Sequence, residues 1–466
     1  MSENKQNEAW YGKLPPTWKE QRIKTIFKLK DVRSYLPLEE VNLISVYSKI
    51  GVMQHLDIEH TTGNKARNAD GYKVVNKGDI IVNILLCWMG AIGCSEYDGV
   101  TSPAYDVYTP SEDIKSKYYH YLFRLPAFSG ECYKVGKGIM SMRWRTYSPQ
   151  FTNLVVPVPP YPEQDQIVRF LDWKVSAINK LVGQYKSEIK AIIELRARIT
   201  DDATIKGLHN AECIHNANIR WDIDYPAHWD AQRMRESFSF RKGLSITKAN
   251  LEENGVSVIN YGQVHSKKNS GIGICDELLR FVNPSYLDIG ASALVQRNDF
   301  IFADTSEDVA GCGNCVFIDK DDTIFAGYHT VIAHPELSGN IKYLAYLFQS
   351  PTWRFQIRKK VNAVKVYSIT QKILKDVFIL FPPPDEQDEI VKYLDDRYRS
   401  IDSFIAKIEG KMRQLIDMKT ALTADVITGK IDVRGIEIPE YEFVEETVDT
   451  ENDESMEGME GETYEE

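Results

Sequence analysis

A long internal repeat constrains the fold of this chain more than any other feature of its sequence. The stretch PPYPEQDQIVRFLD at 159–172 returns as PPPDEQDEIVKYLD at 382–395, at an offset of 223 residues. The same offset continues without a gap into the residues behind both stretches. A repeat nearly half as long as the chain predicts two copies of one structural plan, and it argues against a short-period solenoid.

Apolar residues in and behind each copy follow the spacing of a coiled coil. They recur at alternating intervals of four and three residues, as in the seam between paired helices. The predicted seam consists of Leu171, Val175, Ile178, Val182, Tyr185, Ile189 and Ile192, and of Leu394, Tyr398, Ile401, Ile405, Ile408, Met412 and Leu415. The Pro-Pro pair and the Glu-Gln pair mark the start of each helix. Because one such helix alone would leave its apolar stripe in water, the two copies are expected to pack together.

Matching markers ahead of each long helix predict a globular segment in each half. A Pro-x-x-Trp-x-x-Gln-Arg pattern opens both segments, at 15–22 and 226–233. Two further pairs predict a turn leading into a β-strand and a short helix. These pairs are VVNKGDIIVNI at 74–84 with LVQRNDFIFAD at 294–304, and KYYHYLF at 117–123 with KYLAYLF at 342–348. The predicted fold class is α+β, with two α+β globules that alternate with two long helices.

The repeat also predicts where these parts begin and end. The predicted boundaries are 1–158 for the first globule, 159–207 for the central helix, 208–222 for a polar linker, 223–381 for the second globule, 382–430 for the C-terminal helix and 431–466 for an acidic tail.

The acidic charge of the chain comes from its last residues. The net charge is −11, yet the residues from Glu437 onward contain fourteen acidic side chains and no Lys or Arg. The preceding part therefore carries a small excess of bases, which is compatible with a polyanionic partner. Large apolar residues do not recur at a regular period near the end, so the tail is predicted to be solvated and mostly disordered.

Composition predicts a folded protein of the cytoplasm. The chain is 43% hydrophobic and 26% charged, and it has no apolar run long enough for a membrane span. The start, MSENKQNEAW, lacks the apolar core of a signal peptide. Seven irregularly spaced cysteines indicate reduced thiols.

Motifs for catalysis or cofactor binding are weak. The NPSY at 283–286 is similar to the Asn-Pro-Pro-Tyr of amino-methyltransferases but lacks the second proline, so a stand-alone DNA adenine methyltransferase is a minor alternative. GECYKVGKG at 130–138 lacks the spacing of a phosphate loop and favours a flexible basic loop. Cys312 and Cys315 form a lone Cys-x-x-Cys without a second pair. The chain is predicted to have no catalytic residue and to bind no metal.

Basic side chains beside glycine and aromatic residues remain as the candidate site. The segments YKVGKGIMSMRWRTYS at 133–148 and WRFQIRKKVNAVKVYS at 353–368 occupy equivalent places in the two halves. Basic loops can contact phosphates, and Arg can also read guanine edges. A solvated charged face would explain either segment alone, whereas recurrence in both halves favours DNA binding. The candidates are Lys65, Arg67, Lys134, Lys137, Arg143, Arg145, Lys267, Lys268, Arg354, Arg358, Lys359, Lys360 and Lys365.

The chain resembles the specificity subunits of type I restriction-modification systems, as far as the end of the second long helix. The Pro-Pro-x-x-Glu-Gln helix entries at 159–164 and 382–387 carry this resemblance, together with the Pro-x-x-Trp of each half. It implies that each globule is a target recognition domain, which reads one half of a bipartite, asymmetric DNA site. It also implies that the two helices pair as an antiparallel coiled coil. The acidic tail is not part of the family pattern.

The resemblance further implies partners that supply the chemistry this chain lacks. Two methyltransferase subunits would use S-adenosylmethionine, and two restriction and motor subunits would use ATP and magnesium. Double-stranded DNA is the ligand expected for this chain, and no cofactor is expected on it. A coiled-coil scaffold that binds only protein is the other alternative left open.

Overall fold

The computed structural model of the protein describes residues 9–48, 51–54, 69–138, 144–215, 221–362 and 366–445. The chain divides into two compact units, Met1–Lys186 with Glu409–Glu466, and Ser187–Ile408. We call them the first unit and the second unit. Each long helix contributes residues to both. Within the described residues, no helix is long and apolar enough to cross a membrane.

The residues up to the first long helix form short strands and helices. In chain order they are β1 (Lys19–Arg22), α1 (Ile23–Ile26), β2 (Phe27–Lys30), β3 (Arg33–Ser34), β4 (Ile44–Tyr47), β5 (Gly51–Gln54), β6 (Tyr72–Val75), β7 (Ile80–Asn83), β8 (Ile92–Cys94), β9 (Gly99–Thr101), β10 (Tyr105–Pro110), α2 (Ser116–Phe123), α3 (Pro126–Val135), α4 (Ser148–Asn153), β11 (Val155–Val158) and the long helix α5 (Tyr161–Asp201). The predicted strand within 74–84 is confirmed as β7, and the predicted short helix as α2.

The remaining residues repeat this plan with added elements. They form β12 (Cys213–His215), β13 (Asp224–Pro226), β14 (Asp230–Arg233), β15 (Phe238–Lys242), β16 (Leu251–Glu252), β17 (Val256–Ile259), α6 (Tyr261–Val264), β18 (Arg280–Val282), α7 (Tyr286–Ile289), β19 (Phe300–Ala303), β20 (Thr305–Ser306), β21 (Cys315–Phe317), β22 (Ile324–Ala326), β23 (Thr330–Pro335), α8 (Lys342–Leu347), α9 (Pro351–Arg358), β24 (Tyr367–Ser368), α10 (Gln371–Lys375), β25 (Phe378–Phe381) and the long helix α11 (Pro384–Ile427). The predicted strand within 294–304 is confirmed as β19, and the second short helix as α8.

Both units use the same order of strands, which is the structural counterpart of the sequence repeat. The order is β2–β10–β7–β8 in the first unit and β15–β23–β19–β21 in the second, with antiparallel pairing throughout. A separate antiparallel pair joins the start of each globule to the strand before its long helix, as β1–β11 and as β14–β25. The predicted α+β class is therefore confirmed.

A buried aspartate holds the turn before the central strand of both sheets. The Asp79 carboxylate accepts a hydrogen bond from the Lys30 ammonium at 2.7 Å. The fully buried Asp299 accepts one from the Arg241 guanidinium at 3.0 Å. Lys30 lies on β2 and Arg241 on β15, which hold the same place in the strand order. A buried carboxylate requires a charged partner, so this ion pair holds an edge strand, β2 or β15, against the turn before β7 or β19.

The repeated Glu-Gln pair explains how each long helix begins. The buried Gln164 accepts a hydrogen bond from the Lys115 backbone N–H at 2.9 Å, and its amide donates to the first carbonyl of its own Pro-Pro pair at 2.8 Å. Gln387 repeats this arrangement with the Asn340 N–H at 2.9 Å and with its own proline carbonyl at 2.8 Å. The glutamine therefore joins the helix entry to the loop before α2 or α8.

The ends of the long helices are held in the same way in both units. The Tyr118 hydroxyl on α2 donates to the Ile427 carbonyl at 2.8 Å, at the end of α11. The Tyr343 hydroxyl on α8 donates to the Thr204 carbonyl at 2.9 Å, just beyond the end of α5. Each globule thus contacts the beginning of its own long helix and the end of the other one.

The tryptophan of each Pro-x-x-Trp pattern lies against the glycine turn that follows a long helix. Gly207 and Gly429 have φ angles of +78° and +74°, which favour glycine. A Cβ on Gly207 would lie 3.0 Å from the Trp229 ring, and one on Gly429 would lie 3.1 Å from the Trp18 ring. In the second unit the Trp229 indole N–H also donates to Glu386 at 2.9 Å. The tryptophan therefore covers the turn that ends the helix.

The predicted seam residues lie on the sheltered side of both long helices. None of the fourteen is exposed, whereas Phe404, off the seam, is 48% exposed. The two helices contact each other within each unit. In the second unit the Thr200 and Tyr398 hydroxyls are 2.9 Å apart. In the first unit the Lys411 ammonium lies 5.8 Å from the centre of the Tyr185 ring.

The prediction of a disordered tail from 431 onward is wrong for residues 431–445, which we call the strap. Val433 is 2% exposed and belongs to the core of the first unit. Farther along, the Val444 N–H donates to the Ser176 hydroxyl at 3.2 Å, and its carbonyl accepts from the Asn179 amide at 3.0 Å. Scattered apolar residues of the strap pack on α5 although they do not recur at a regular period. The prediction was wrong because it took the missing period as a sign of disorder. The rest of the predicted tail lies outside the described residues.

Candidate nucleic-acid interface

Some predicted DNA contacts cannot be placed, and most of the others fall on two surfaces. Lys65, Arg67, Arg143 and Lys365 lie outside the described residues. The first surface lies on and just after α3 in the first unit. The second surface lies on and just after α9 in the second unit, and we define it as Arg354, Arg358, Lys359 and Lys360. The expectation of a flexible loop at 130–138 is wrong for its first part, because α3 extends to Val135 and buries Phe128 and Cys132 in the core. The helix α9 likewise covers the start of the second segment.

The first basic surface combines aromatic stacking with a closed backbone link. We define it as Tyr133, Lys134, Lys137, Trp144 and Arg145. The backbones of Lys137 and Arg145 exchange two hydrogen bonds of 2.9 Å. The Trp144 ring stacks on Tyr133 at 5.1 Å between centroids, and its indole N–H donates to the Tyr133 carbonyl at 3.0 Å. Stacked rings beside cations provide both base-stacking and phosphate-binding groups.

The positive charge of this surface is only partly neutralised. The Lys134 ammonium lies 2.6 Å from Glu131, but its side chain is 71% exposed, so the ion pair is weak in water. Lys137 is exposed and has no acidic partner among the described residues. Arg145 is half-buried, and its Nε lacks a hydrogen-bond partner in the same part of the chain. The Lys134 and Lys137 side chains are therefore accessible to solvent, whereas the Arg145 Nε is buried.

Two arginines of the second surface are engaged by the protein itself. Arg354 donates through Nε to the Phe348 carbonyl at 2.7 Å and through Nη2 to Gln349. Burial lowers the pKa of Arg354 to about 10. Arg358 donates to the Ala310 carbonyl at 2.6 Å, and burial lowers its pKa as well. Both guanidinium groups therefore hold neighbouring segments of the fold together.

Lysines carry the accessible charge of the second surface. Lys359 is exposed, and its ammonium lies 5.7 Å from the centre of the Phe355 ring. Lys360 donates to the Asp376 carbonyl at 3.2 Å, and partial burial lowers its pKa. Lys267 and Lys268 are exposed and come just after α6 in the chain, far in sequence from the residues of this surface.

The weak motifs for other chemistry acquire structural explanations. Asn283 accepts the Ser285 N–H at 3.0 Å and donates to Glu252 at 3.1 Å, which makes it a turn residue before α7. Cys312 and Cys315 are buried free thiols. Among the described residues, no group of three or more His, Cys, Asp and Glu side chains could hold a metal. That the chain binds no cofactor stays a prediction.

The structure also contains a groove that sequence patterns did not reveal. It lies in the second unit and is lined by residues from 242–246, 304–305, 327–331 and 368–371. These segments are far apart in the sequence, so only folding brings them together. We call it the second-unit groove.

Comparisons with known proteins find relatives over most of the chain. The family model described as "Type I restriction modification DNA specificity domain" matches residues 226–410. The type I restriction enzyme MjaVIII specificity subunit of Methanocaldococcus jannaschii is 22% identical over 374 residues, which cover 78% of this chain and 83% of that protein. The EcoKI specificity subunit of Escherichia coli K12 is 23% identical over 299 residues, which cover 60% of this chain and 58% of that protein.

A solved structure shares the fold. It comes from work on complex assembly and conformational transition of the type I restriction-modification system, and it has a TM-score of 0.61 at 16% identity. The match covers 90% of this chain and all of the solved chain. Residues 226–410 therefore belong to the family of type I restriction-modification DNA specificity domains, and the repeated helix entries and strand order extend this likeness to the first half of the chain.

Proposed function

We propose that this chain reads a bipartite, asymmetric DNA site for a type I restriction-modification complex. Each unit would read one half-site through its globule, and the long helices would set the spacing between the half-sites and dock the methyltransferase and restriction subunits. The chain itself would perform no catalysis. The observation that carries this proposal is the repeated strand order with different added elements in each unit. A fixed frame with variable contents suits the reading of two different sequences.

Contacts between the long helices support an antiparallel coiled coil. In the second unit, the Thr200 and Tyr398 hydroxyls are 2.9 Å apart, and the Arg196 guanidinium donates to Asp402 at 3.0 Å. Residue numbers therefore decrease along α5 as they increase along α11, which is the order of an antiparallel pair. In the first unit, Tyr185 lies beside Lys411, which continues the same order. The sheltered seam residues provide the apolar contact that such a pair requires.

The length of the helices suits a ruler between half-sites. The 41 residues of α5 correspond to about 62 Å at about 1.5 Å per residue. At about 3.4 Å per base pair, this is on the order of 18 base pairs, or more than one turn of DNA. An unread gap between two short half-sites follows from this length.

The proposed partners supply the reactions. Two methyltransferase subunits would bind S-adenosylmethionine, and two restriction and motor subunits would bind ATP and magnesium, in the cytoplasm. Double-stranded DNA would be bound by this chain, with the phosphate contacts drawn from the first basic surface and from the exposed lysines of the second surface.

Selection of bound DNA tests the proposal. The chain, purified with its methyltransferase partner, should enrich a bipartite motif with an unread gap from random duplex DNA. Failure to enrich any motif would contradict the proposal and favour a protein-only scaffold. Micromolar binding of S-adenosylmethionine to the chain alone, measured by calorimetry, would instead support a stand-alone methyltransferase.

A further inference from the structure

The second-unit groove keeps polar side chains uncommitted. Its volume is about 570 Å³. Lys242, at the end of β15, is exposed and has no acidic partner among the described residues. The side-chain amide of Gln371, in the first turn of α10, has no hydrogen-bond partner there either. Among the described residues of the lining, Asp304 is the one acidic residue, and it lies 3.2 Å from His329. A free cation and a free amide suit a polar, anionic ligand.

Backbone strain places an aromatic rim on this groove. His329 has a φ of +55°, a backbone angle that residues other than glycine rarely adopt. Asp304 holds it there, because the Asp304 N–H donates to the His329 carbonyl at 3.1 Å. The exposed imidazole meets the Tyr261 ring at 5.6 Å and the Tyr328 ring at 6.0 Å. Strain of this kind persists where the surroundings enforce it, and it is concentrated at functional sites.

The matching place in the first unit has the same backbone frame with different side chains. The Ile369 N–H donates to the Asp304 carbonyl at 2.7 Å, and the Thr146 N–H donates to the Ile84 carbonyl at 2.9 Å. The repeat offset aligns Ser148 with Gln371. Both units therefore keep the same backbone hydrogen bond. Their side chains differ, because Asp304 and Gln371 of the second unit stand where the first unit has Ile84 and Ser148. Such variation is expected where the two units read different base pairs.

We propose that the second-unit groove receives base-pair edges of one half-site, with Lys242 on a phosphate and Gln371 and His329 facing the bases. This inference rests on the proposed function and names the reading surface of one unit. The Gln371 amide offers one donor and one acceptor side by side, which matches an adenine edge in the major groove. The Lys242 ammonium would contact the backbone without regard to sequence.

Two substitutions separate these roles in the full chain bound to its methyltransferase partner. Gln371→Ala should reduce the preference at one or two positions of one half-site by about tenfold and leave the other half-site unchanged. Lys242→Ala should weaken binding to all duplexes alike, and it should lower the salt slope of log affinity by about one. The readouts are DNA selection and binding isotherms at several salt concentrations.

Matched controls lie at the opposite end of β19. Gln296 and Lys320 are exposed beside the start of that strand, whereas the groove lies beyond its end. Gln296→Ala and Lys320→Ala should keep the wild-type motif and affinity, and all four variants should keep the wild-type melting temperature. If Gln371→Ala selects the wild-type motif with unchanged affinity, or loses preference equally in both half-sites, the inference is overturned while the proposed function stands. A wild-type complex that selects no motif would overturn both.

Discussion

The repeated glutamines at the helix entries permit a quantitative prediction about stability. Gln387→Ala should lower the free energy of unfolding of the second unit by about 2 kcal/mol, because it removes two hydrogen bonds worth about 1 kcal/mol each. These are the bonds to the Asn340 N–H at 2.9 Å and to the proline carbonyl at 2.8 Å. Gln164→Ala should destabilise the first unit by about 3 kcal/mol, since Gln164 makes an additional bond to the Asp113 carbonyl at 3.3 Å.

Urea unfolding combined with amide hydrogen exchange would test this prediction. The Asn340 amide should exchange faster in Gln387→Ala, and the Lys115 amide should exchange faster in Gln164→Ala, because each N–H loses its acceptor. Gln184→Ala is the matched control, since Gln184 is exposed on α5, and it should change stability by less than about 0.5 kcal/mol. If Gln387→Ala matches this control in stability, or speeds exchange equally at both amides, the assigned role of the glutamine is wrong.

Three further predictions concern the strap, a buried histidine and the ruler. Val433→Ala should destabilise the first unit by about 2 kcal/mol in urea unfolding, because Val433 is buried in its core; an unchanged midpoint would mean that the strap does not contribute to folding. Burial and the Arg124 cation lower the pKa of His120 well below its usual range, and its ring accepts the Cys94 N–H at 3.2 Å. Because the folded state favours neutral His120, its contribution to the free energy of unfolding is complete above about pH 6.5, and about 1.4 kcal/mol of it should be lost by pH 5.5 as the unfolded chain takes up a proton. His120→Asn should remove this loss, and an unaltered pH profile of stability would contradict the assignment. Insertion of one heptad at matched places in α5 and α11 should lengthen the unread gap by about three base pairs in DNA selection, whereas altered half-sites with an unchanged gap would refute the ruler.

Residues with a periodic or repeated pattern were the ones that sequence reasoning placed well. The predicted strand within 74–84, the short helix at 117–123 and their counterparts in the second half follow from local pattern, and the structure has them. The strap was missed because Val433 and its neighbours bury on α5 without any period. Arg354 was chosen for its charge, but its neighbours Phe348 and Gln349 engage the guanidinium group, which no spacing along the chain reveals.

By itself, the sequence determined that the chain has two copies of one plan, each ending in a long amphipathic helix, because periodicity and repetition are properties of the chain read along its length. Only the tertiary structure decided which cations stay free and which become structural. It also brought Lys242, Asp304, His329 and Gln371 to one groove, because these residues come from segments whose proximity depends on the order of strands in the sheet. Contacts between residues distant in sequence arise from packing, and packing has no signature in a local pattern.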